Sequence, residues 1–120
     1  MLNLSHKKLD AYKISIEMIK EVYKHTQNFP AEERYVLVTQ LRRAALSVCS
    51  NLAEGCARKS KLEKKRFFEI SRSSLVEIDT QIEVSLEIEY LKKNEITLFE
   101  NYLERIFMML SKMIDKLELH

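Results

Sequence analysis

The chain has 120 residues, 46% of them hydrophobic and 32% charged, a composition typical of one globular domain with a heavily charged surface. One Gly and one Pro in this length favour long helices over a many-stranded β fold. A formal net charge of +2 is too small to indicate a nucleic-acid partner by itself. No apolar run approaches the ~20 residues that span a membrane, and residues 1–13 contain no apolar signal core, so we expect a cytoplasmic protein without membrane contact.

The spacing of apolar residues predicts four helices that together form one domain over residues 1–120. The helices are expected over 8–26, from Pro30 to about 54, from 61 to about 91, and from about Glu95 onward. Pro30 suits a first helical position, and Ser60 with Glu63 has the spacing of a helix-capping pair. Gly55 is placed to end the second helix in a left-handed conformation. Because the loops are short, we predict an all-α fold, an antiparallel up-down four-helix bundle.

The first helix carries two apolar ridges, unlike the other three. The first ridge consists of Leu9, Tyr12, Ile16, Ile19, Tyr23 and Thr26. The second ridge consists of Ile14, Met18 and Val22. A monomeric bundle would leave one ridge in water, so the pattern predicts that the chain associates with copies of itself.

The other helices each show one apolar face at helical spacing. The second helix is expected to bury Leu37, Leu41, Ala44, Val48 and Leu52, with Val38 and Ala45 at the edge. The third is expected to bury Phe67, Ser71, Leu75, Ile78, Ile82 and Leu86. The fourth is expected to bury Phe99, Leu103, Ile106, Leu110, Met113 and Leu117.

Two polar stripes border these core faces. On the second helix, an arc of about 80° holds Gln40, Arg43, Ser47, Asn51 and Glu54. On the third helix, the flank of the core face holds Ser74, Glu77 and Gln81. Three interpretations are open: boundary residues, a structural polar network within or between subunits, or a catalytic site. We predict that Arg43, Ser47, Asn51 and Glu54 are mostly buried and hydrogen-bonded, with Glu77 as the acidic partner of Arg43.

Catalytic and metal-binding patterns are weak in this sequence. Only Glu54 and Glu77 on the stripes have acid–base chemistry, and no His or Cys nucleophile accompanies them. Cys49 and Cys56 are too far apart along a helix to form a disulfide, and they have no nearby His. The three His residues, His6, His25 and His120, are not at metal-ligand spacing. We therefore predict no enzyme activity, no cofactor and no metal.

A cluster of positive charge lies between residues 58 and 66. Its basic residues are Arg58, Lys59, Lys61, Lys64, Lys65 and Arg66. They occupy the loop before the third helix and its first turns, where cations oppose the helix dipole at a cost of a few tenths of a kcal/mol each. The cluster is either a solvated charged surface, a site for a polyanion with nucleic acid as the first candidate, or a contact for an acidic protein surface such as another copy.

The segment from residue 28 to residue 58 resembles the 23S rRNA intervening-sequence proteins, four-helix bundles encoded within bacterial large-subunit ribosomal RNA genes. The residues that match the family pattern are Phe29, Pro30, Glu33, Gln40, Arg42, Arg43, Ala44, Ser47, Asn51, Ala53, Glu54, Gly55 and Arg58. The resemblance continues through residues 67–83, although this chain has Ser73-Ser74 where the family usually has Gly-Ser. It implies a four-helix bundle, a ring-shaped homopentamer and no catalytic activity.

The resemblance also implies a connection to nucleic acid. It rests on the genetic context of the family and on related bundles that are accessory proteins of reverse transcriptases in diversity-generating retroelements. Two functions follow as hypotheses. The first is an oligomeric bundle that binds RNA, DNA or a ribonucleoprotein through the basic residues 58–66. The second is a protein–protein assembly module with no nucleic-acid role.

Overall fold

A computed structural model describes residues 1–118 of the chain, so His120 lies outside the described residues. Four long helices make up most of it: α1 (Asp10–Thr26), α2 (Thr39–Ala57), α3 (Lys61–Glu87) and α4 (Thr97–Glu118). Short 3-10 turns at Ser5–Lys8 and Lys93–Glu95 precede α1 and α4. Residues 1–118 contain no β-strand, and the predicted all-α class with four helices is confirmed.

One hydrophobic core runs between the four helices. α1 packs on α2 and α4, and α3 packs on the same two helices. Among the fully buried side chains are Met18 of α1, Val48 and Leu52 of α2, Ile78 of α3 and Ile106 of α4. Burying one such side chain stabilises the fold by about 1.5–3 kcal/mol. The helices therefore depend on the packing of their apolar faces more than on intrinsic helix propensity.

The predicted core faces of α2, α3 and α4 are confirmed at most positions. The confirmed residues are Leu41, Ala44, Val48 and Leu52 in α2, Ser71, Leu75, Ile78 and Ile82 in α3, and Phe99, Leu103, Ile106 and Leu110 in α4. Near two helix ends the buried residue is the next one along the chain, Phe68 instead of Phe67 and Ile114 instead of Met113. In α4 the predicted seam alternates steps of four and three residues, and such a seam drifts by about 20° per heptad onto the neighbouring residue because an α-helix has 3.6 residues per turn. At the start of α3 the predicted step of four residues before Ser71 is one residue too long.

The structure decides which of the two ridges of α1 is buried. The buried residues of α1 are Ala11, Ile14, Ser15, Met18, Val22 and Thr26, which include the whole second ridge. Ile16 and Tyr23 of the first ridge are exposed. Ala11 and Ser15 are small enough for neighbouring helices to approach, and the Ser15 hydroxyl donates to the Ala11 carbonyl at 2.6 Å. The sequence left the choice open because the larger apolar side chains mark both ridges, whereas two small residues complete the buried face.

The segment before α2 winds first more tightly and then more widely than an α-helix. A 3-10 turn at Ala31–Glu33 leads into a π-helical turn at Arg34–Val38, so the prediction that α2 begins at Pro30 was wrong. Two contacts from the end of α3 hold this segment. The Phe29 ring lies 5.4 Å from the Tyr90 ring, and the Tyr90 hydroxyl donates to Glu33 at 3.0 Å. This hydrogen bond raises the pKa of Tyr90 above its usual value.

Gly55 serves close packing and does not end α2. The helix continues to Ala57, and Gly55 does not have a positive φ. A Cβ atom at Gly55 would lie 2.5 Å from Cε1 of Phe68 and 3.3 Å from the carbonyl oxygen of Lys64. The predicted left-handed conformation at Gly55 is therefore wrong, and the residue matters because α3 passes too close for a side chain.

The two ends of α3 are capped in different ways. At its start, the Ser60 hydroxyl accepts a hydrogen bond from the Glu63 amide at 3.1 Å, as the capping pattern predicted. At its end, α3 stops at Glu87 and not near residue 91. Glu89 adopts a left-handed φ of 65°, and the Tyr90 amide donates to the Ser85 carbonyl at 2.8 Å. This is the hydrogen-bond pattern of a helix terminus, formed here without glycine.

We expect Gly55→Ala to lower the free energy of unfolding by about 1–2 kcal/mol. Overpacking against Phe68 costs about 1–3 kcal/mol, and the better helix propensity of Ala offsets up to about 1 kcal/mol. Urea denaturation measures the change. In a Phe68→Leu background, where the ring edge is removed, the penalty should shrink. Equal penalties in both backgrounds would show that the ring is not what excludes a side chain at residue 55.

Candidate nucleic-acid interface

The basic segment, residues 58–66, lies where α2 ends and α3 begins. Its six cations divide into two groups by exposure. Lys59, Lys61 and Arg66 are exposed, and we call them the exposed trio. Arg58, Lys64 and Lys65 are partly buried. The two groups differ in their contacts, and this difference decides which cations are available to a ligand.

Each partly buried cation has a partner within the chain. Arg58 donates to Glu54 at 3.0 Å and lies over the Phe67 ring at 4.8 Å from its centroid. Lys65 forms an ion pair with Glu118 at 2.9 Å, and the hydrogen bond to Glu118 raises the pKa of Lys65. These contacts hold the two side chains against their own bundle, so they are less available to a ligand.

Lys64 binds the last turn of α2. Its ammonium group donates to the carbonyl oxygens of Gly55 at 3.4 Å and Cys56 at 3.1 Å. Carbonyls at a helix C-terminus have no intrahelical partner and carry the negative end of the helix dipole, so a cation there is stabilising. The basic start of α3 is therefore explained in part by the adjacent end of α2, and not by a ligand alone.

Lys61, Lys64 and Lys65 share one face of α3 by their spacing, but their side chains do not act as one group. Lys64 turns towards α2, Lys65 reaches Glu118 of α4, and Lys61 is exposed. Spacing along α3 could not show this, because the partners come from the ends of two other helices. The exposed trio forms no ion pair or side-chain hydrogen bond within residues 1–118, and it is the part of the segment that faces solvent.

A pocket of about 370 Å³ opens at the same end of the bundle. Lys64 and Lys116 border it beside His6 and Cys56, and most of the other lining is apolar. Burial raises the pKa of the Cys56 thiol, although Lys64 opposes that shift. A thiol with a raised pKa has little thiolate near neutral pH and is a poor nucleophile. Lys116 was missed from the sequence because only the tertiary structure brings α4 to this end.

The second thiol, Cys49, lies between α1 and α2. Burial raises the pKa of this thiol, and the neighbouring Tyr12 side chain opposes that shift. Both cysteines are free. Within the described part of the chain, no three His, Cys, Asp or Glu side chains are grouped so that they could hold a metal ion. In the same part, no helix is both long and apolar enough to cross a membrane.

The polar stripes form a smaller network than predicted. Ser47 and Ser74 share a hydrogen bond of 2.8 Å between α2 and α3, and the Asn51 amide donates to the Ser47 hydroxyl at 2.9 Å. Ser74 is buried, while Ser47 and Asn51 are half-buried. The strongest buried bond between these helices lies deeper, where the Ser71 hydroxyl donates to the Val48 carbonyl at 2.6 Å.

Four members of the stripes are exposed within one chain: Gln40, Arg43, Glu54 and Glu77. The prediction that Arg43 and Glu54 are buried is wrong for the single chain, and Glu54 pairs with Arg58. Arg43 and Glu77 form no ion pair within residues 1–118. The arc touches the core only at one edge, so its far side points to solvent. Gln81 is half-buried, and its Oε1 accepts no hydrogen bond from the described residues. A network between copies stays a prediction.

We expect substitutions of the exposed and the buried polar residues between α2 and α3 to change the free energy of unfolding by different amounts. Arg43→Ala and Glu77→Gln should each change the free energy of unfolding by less than about 0.5 kcal/mol, as is usual for exposed sites. Ser71→Ala should lower it by about 1 kcal/mol through the lost hydrogen bond. Thermal and urea denaturation measure both. A loss near 3–5 kcal/mol at Arg43 would instead mean that another copy buries this charge.

We expect Lys64 and Lys61 to have separable roles. Lys64→Met should lower the free energy of unfolding by about 0.3–1 kcal/mol because the end of α2 loses its cation. Lys61→Met, the matched control three residues earlier on α3, should leave stability within about 0.5 kcal/mol of the parent. Urea denaturation at low and high salt provides the comparison. Equal effects of the two substitutions would remove the structural role assigned to Lys64.

Known proteins with a similar sequence or fold identify the family of this chain. The family described as 23S rRNA-intervening sequence protein matches residues 7–112, from before α1 into α4. A crystal structure of a protein of unknown function from the S23 ribosomal protein family of Bacteroides thetaiotaomicron superposes with a TM-score of 0.77. The two share 20% sequence identity over 87% of this chain and 97% of the other, which shows the fold alone. No protein with a curated function matches the chain. The chain belongs to the 23S rRNA-intervening sequence protein family.

Proposed function

We propose that this protein is a non-catalytic four-helix bundle that assembles with copies of itself and binds nucleic acid through its basic segment. The observation that carries the proposal is the exposed trio, Lys59, Lys61 and Arg66, which presents three positive charges at one end of the bundle with no ion pair or side-chain hydrogen bond to residues 1–118. Lys64 and Lys65 lie directly beside it and add to the local positive potential. RNA or DNA is the polyanion that such a surface attracts most strongly.

The proposed architecture is one domain over residues 1–120, with neighbouring helices antiparallel. Contacts support this direction: Arg72 of α3 donates to Ser111 of α4, while Lys65, earlier in α3, pairs with Glu118, later in α4. The proposed assembly is a ring-shaped homo-oligomer, with a pentamer favoured by the family resemblance. Exposed apolar residues on α1 such as Ile16 and Tyr23 support self-association.

The absence of catalysis belongs to the same proposal. Glu54, one of the two carboxylates considered for acid–base chemistry, is exposed and paired with Arg58. Glu77, the other, is exposed on α3. The pKa of each thiol is raised by burial, which opposes nucleophilic chemistry near neutral pH. A cytoplasmic location remains a prediction from the sequence.

The proposed binding is weak at each subunit and gains strength from repetition. A cluster of three to six cations neutralises only a few phosphates, so one subunit alone should bind loosely at physiological salt. An oligomer repeats the basic segment around its axis, and several segments then contact one nucleic acid chain. Affinity should therefore depend steeply on salt and show little sequence preference, because phosphate contacts carry no sequence information.

We expect the parent protein to bind RNA or DNA oligonucleotides in fluorescence polarisation at low salt. Changing Lys59, Lys61 and Arg66 together to Gln should weaken binding at least tenfold. The slope of log affinity against log salt should flatten by about 2, since each phosphate contact contributes about 0.7 to 0.9. Light scattering should show an unchanged oligomer, because the exposed trio makes no contact that holds the fold.

The matched control changes three other exposed cations, Arg34, Lys93 and Arg105, to Gln. It removes the same charge but leaves the basic segment intact, so affinity should change less than threefold. Equal losses in both triple variants would show that net charge, and not this segment, governs binding. No binding by the parent at low salt would reject the nucleic-acid role.

A second function, a protein–protein assembly module, has its own supporting observation. Arg58, Lys64 and Lys65 are already engaged by Glu54, the end of α2 and Glu118, so half of the basic segment has a structural explanation. This function is the better one if the parent oligomerises but fails to bind any nucleic acid tested.

A further inference from the structure

Two long sides of the bundle carry apolar residues in water, surrounded by opposite charge. We call them the acidic groove and the basic patch. The acidic groove lies between α3 and α4 and is lined by Val76, Phe107 and Met108 with Asp79, Glu100 and Glu104. The basic patch lies on α1 and α2 and consists of Ile16, Tyr23 and Leu46 with Lys13, Lys20 and Arg42.

The acidic groove has an apolar floor and an anionic rim. Its volume is about 480 Å³, and its three central side chains, Val76, Phe107 and Met108, are 41–56% exposed. Asp79 lies on the rim from α3, and Glu104 lies on it from α4. A concave apolar surface with carboxylates at its edge favours an occupant that is apolar at its centre and cationic around it.

The Arg72 cation, which lies near the groove, is already engaged. The Arg72 guanidinium lies 5.7 Å from the centroid of the Phe107 ring and donates to the Ser111 hydroxyl at 3.1 Å. It fixes the edge of the Phe107 ring and does not pair with the carboxylates of the rim. The rim therefore retains its negative charge.

The basic patch is a surface of this kind, apolar at its centre and cationic around it. Ile16 and Tyr23 lie about one and three turns along from Tyr12 on the flank of α1 that meets α2. Leu46 lies on the opposing flank of α2, one turn from Arg42. The exposed fractions of these three apolar side chains are 36–45%.

Arg42 is held near the apolar centre of the basic patch, whereas Lys20 is free to change partner. Arg42 lies 4.4 Å from the centroid of the Tyr23 ring and donates from Nε to the Thr26 hydroxyl at 3.0 Å. Lys20 is exposed and pairs only with Glu17, its exposed neighbour one turn away, at 3.0 Å. Surface pairs of this kind are worth about 0–1 kcal/mol, so Lys20 can change partner at little cost.

From these two surfaces we infer that the acidic groove of one copy binds the basic patch of the next copy. The helices α1 and α2 form one side of the bundle and α3 and α4 another, so a single chain cannot bring its own two surfaces together. Contact between two identical acidic grooves would oppose carboxylates to carboxylates, and contact between two basic patches would oppose cations to cations. Only the head-to-tail arrangement pairs opposite charges and buries both apolar centres.

The size of the bundle allows a stable contact of this kind. The molecule measures 46 × 30 × 21 Å, so a long side offers about the 800 Å² per partner of a standard-size interface. A head-to-tail contact repeats from copy to copy and produces a closed ring or a filament. It also leaves the basic segment at the bundle end free. The inference rests on the self-association in the proposed function and specifies the surfaces that produce it.

The test uses two full-length variants that each lose one surface. The groove variant is Val76→Lys with Met108→Lys, and the patch variant is Ile16→Glu with Leu46→Glu. All four residues are exposed, so the fold should persist, which circular dichroism verifies. Each variant alone should be monomeric in sedimentation velocity at concentrations where the parent is a multimer. A mixture should form a dimer of one chain of each, because one intact groove then meets one intact patch.

The matched control places the same charges elsewhere, as Val84→Lys with Leu98→Lys, at two other exposed apolar positions. It should retain the mass of the parent. If either double variant unfolds, the single changes Met108→Lys and Leu46→Glu replace it, with an expected loss of at least tenfold in association constant.

Each outcome has a distinct meaning. Variants that keep the parent mass would place the interface elsewhere and overturn the inference while self-association stands. Monomeric variants that fail to form a mixed dimer would show that the two surfaces do not contact each other, which also overturns it. A monomeric parent would overturn both this inference and the proposed assembly, whereas nucleic-acid binding is scored separately by polarisation.

Discussion

Close packing of α2 on α3 is the constraint on which the rest of this structure depends. It requires the absence of a side chain at Gly55, where the Phe68 ring occupies the space of a Cβ. It also buries the hydrogen bond from Ser71 to the Val48 carbonyl, which joins the two helices at mid-length. Because α2 and α3 are held at this distance, the end of one helix and the start of the other form a single surface. The basic segment is that surface.

The same packing gives the basic segment two functions in one stretch of nine residues. Lys64 satisfies carbonyls at the end of α2, so part of the positive charge stabilises the fold. The exposed trio remains on the outside, where the helix dipole of α3 opposes it and no partner among residues 1–118 compensates. The exposed trio is therefore better evidence for a ligand than Lys64 is, because the stability of the fold does not explain its positive charge.

The charges around the two exposed apolar centres also differ in sign. The side formed by α3 and α4 is acidic around Phe107, and the side formed by α1 and α2 is basic around Tyr23. Both apolar centres lie in water in a single chain, which neither core packing nor solubility requires. If these sides join successive copies, the assembly repeats the basic segment at a regular interval. Self-association would then strengthen polyanion binding, because avidity depends on that repetition.

The sequence by itself determined the helical class, the number of helices and most of the core of α2, α3 and α4. Apolar residues at helical spacing lie on one face of a helix, and that face is buried when the helix packs. It also indicated the Ser60 cap and the family. Only the tertiary structure decided which ridge of α1 is buried, since Ala11 and Ser15 carry too little apolar surface to mark a face. It likewise decided that Arg43 is exposed and that Lys64 is structural. Both outcomes depend on which helix lies opposite, and spacing along one helix carries no information about its neighbours.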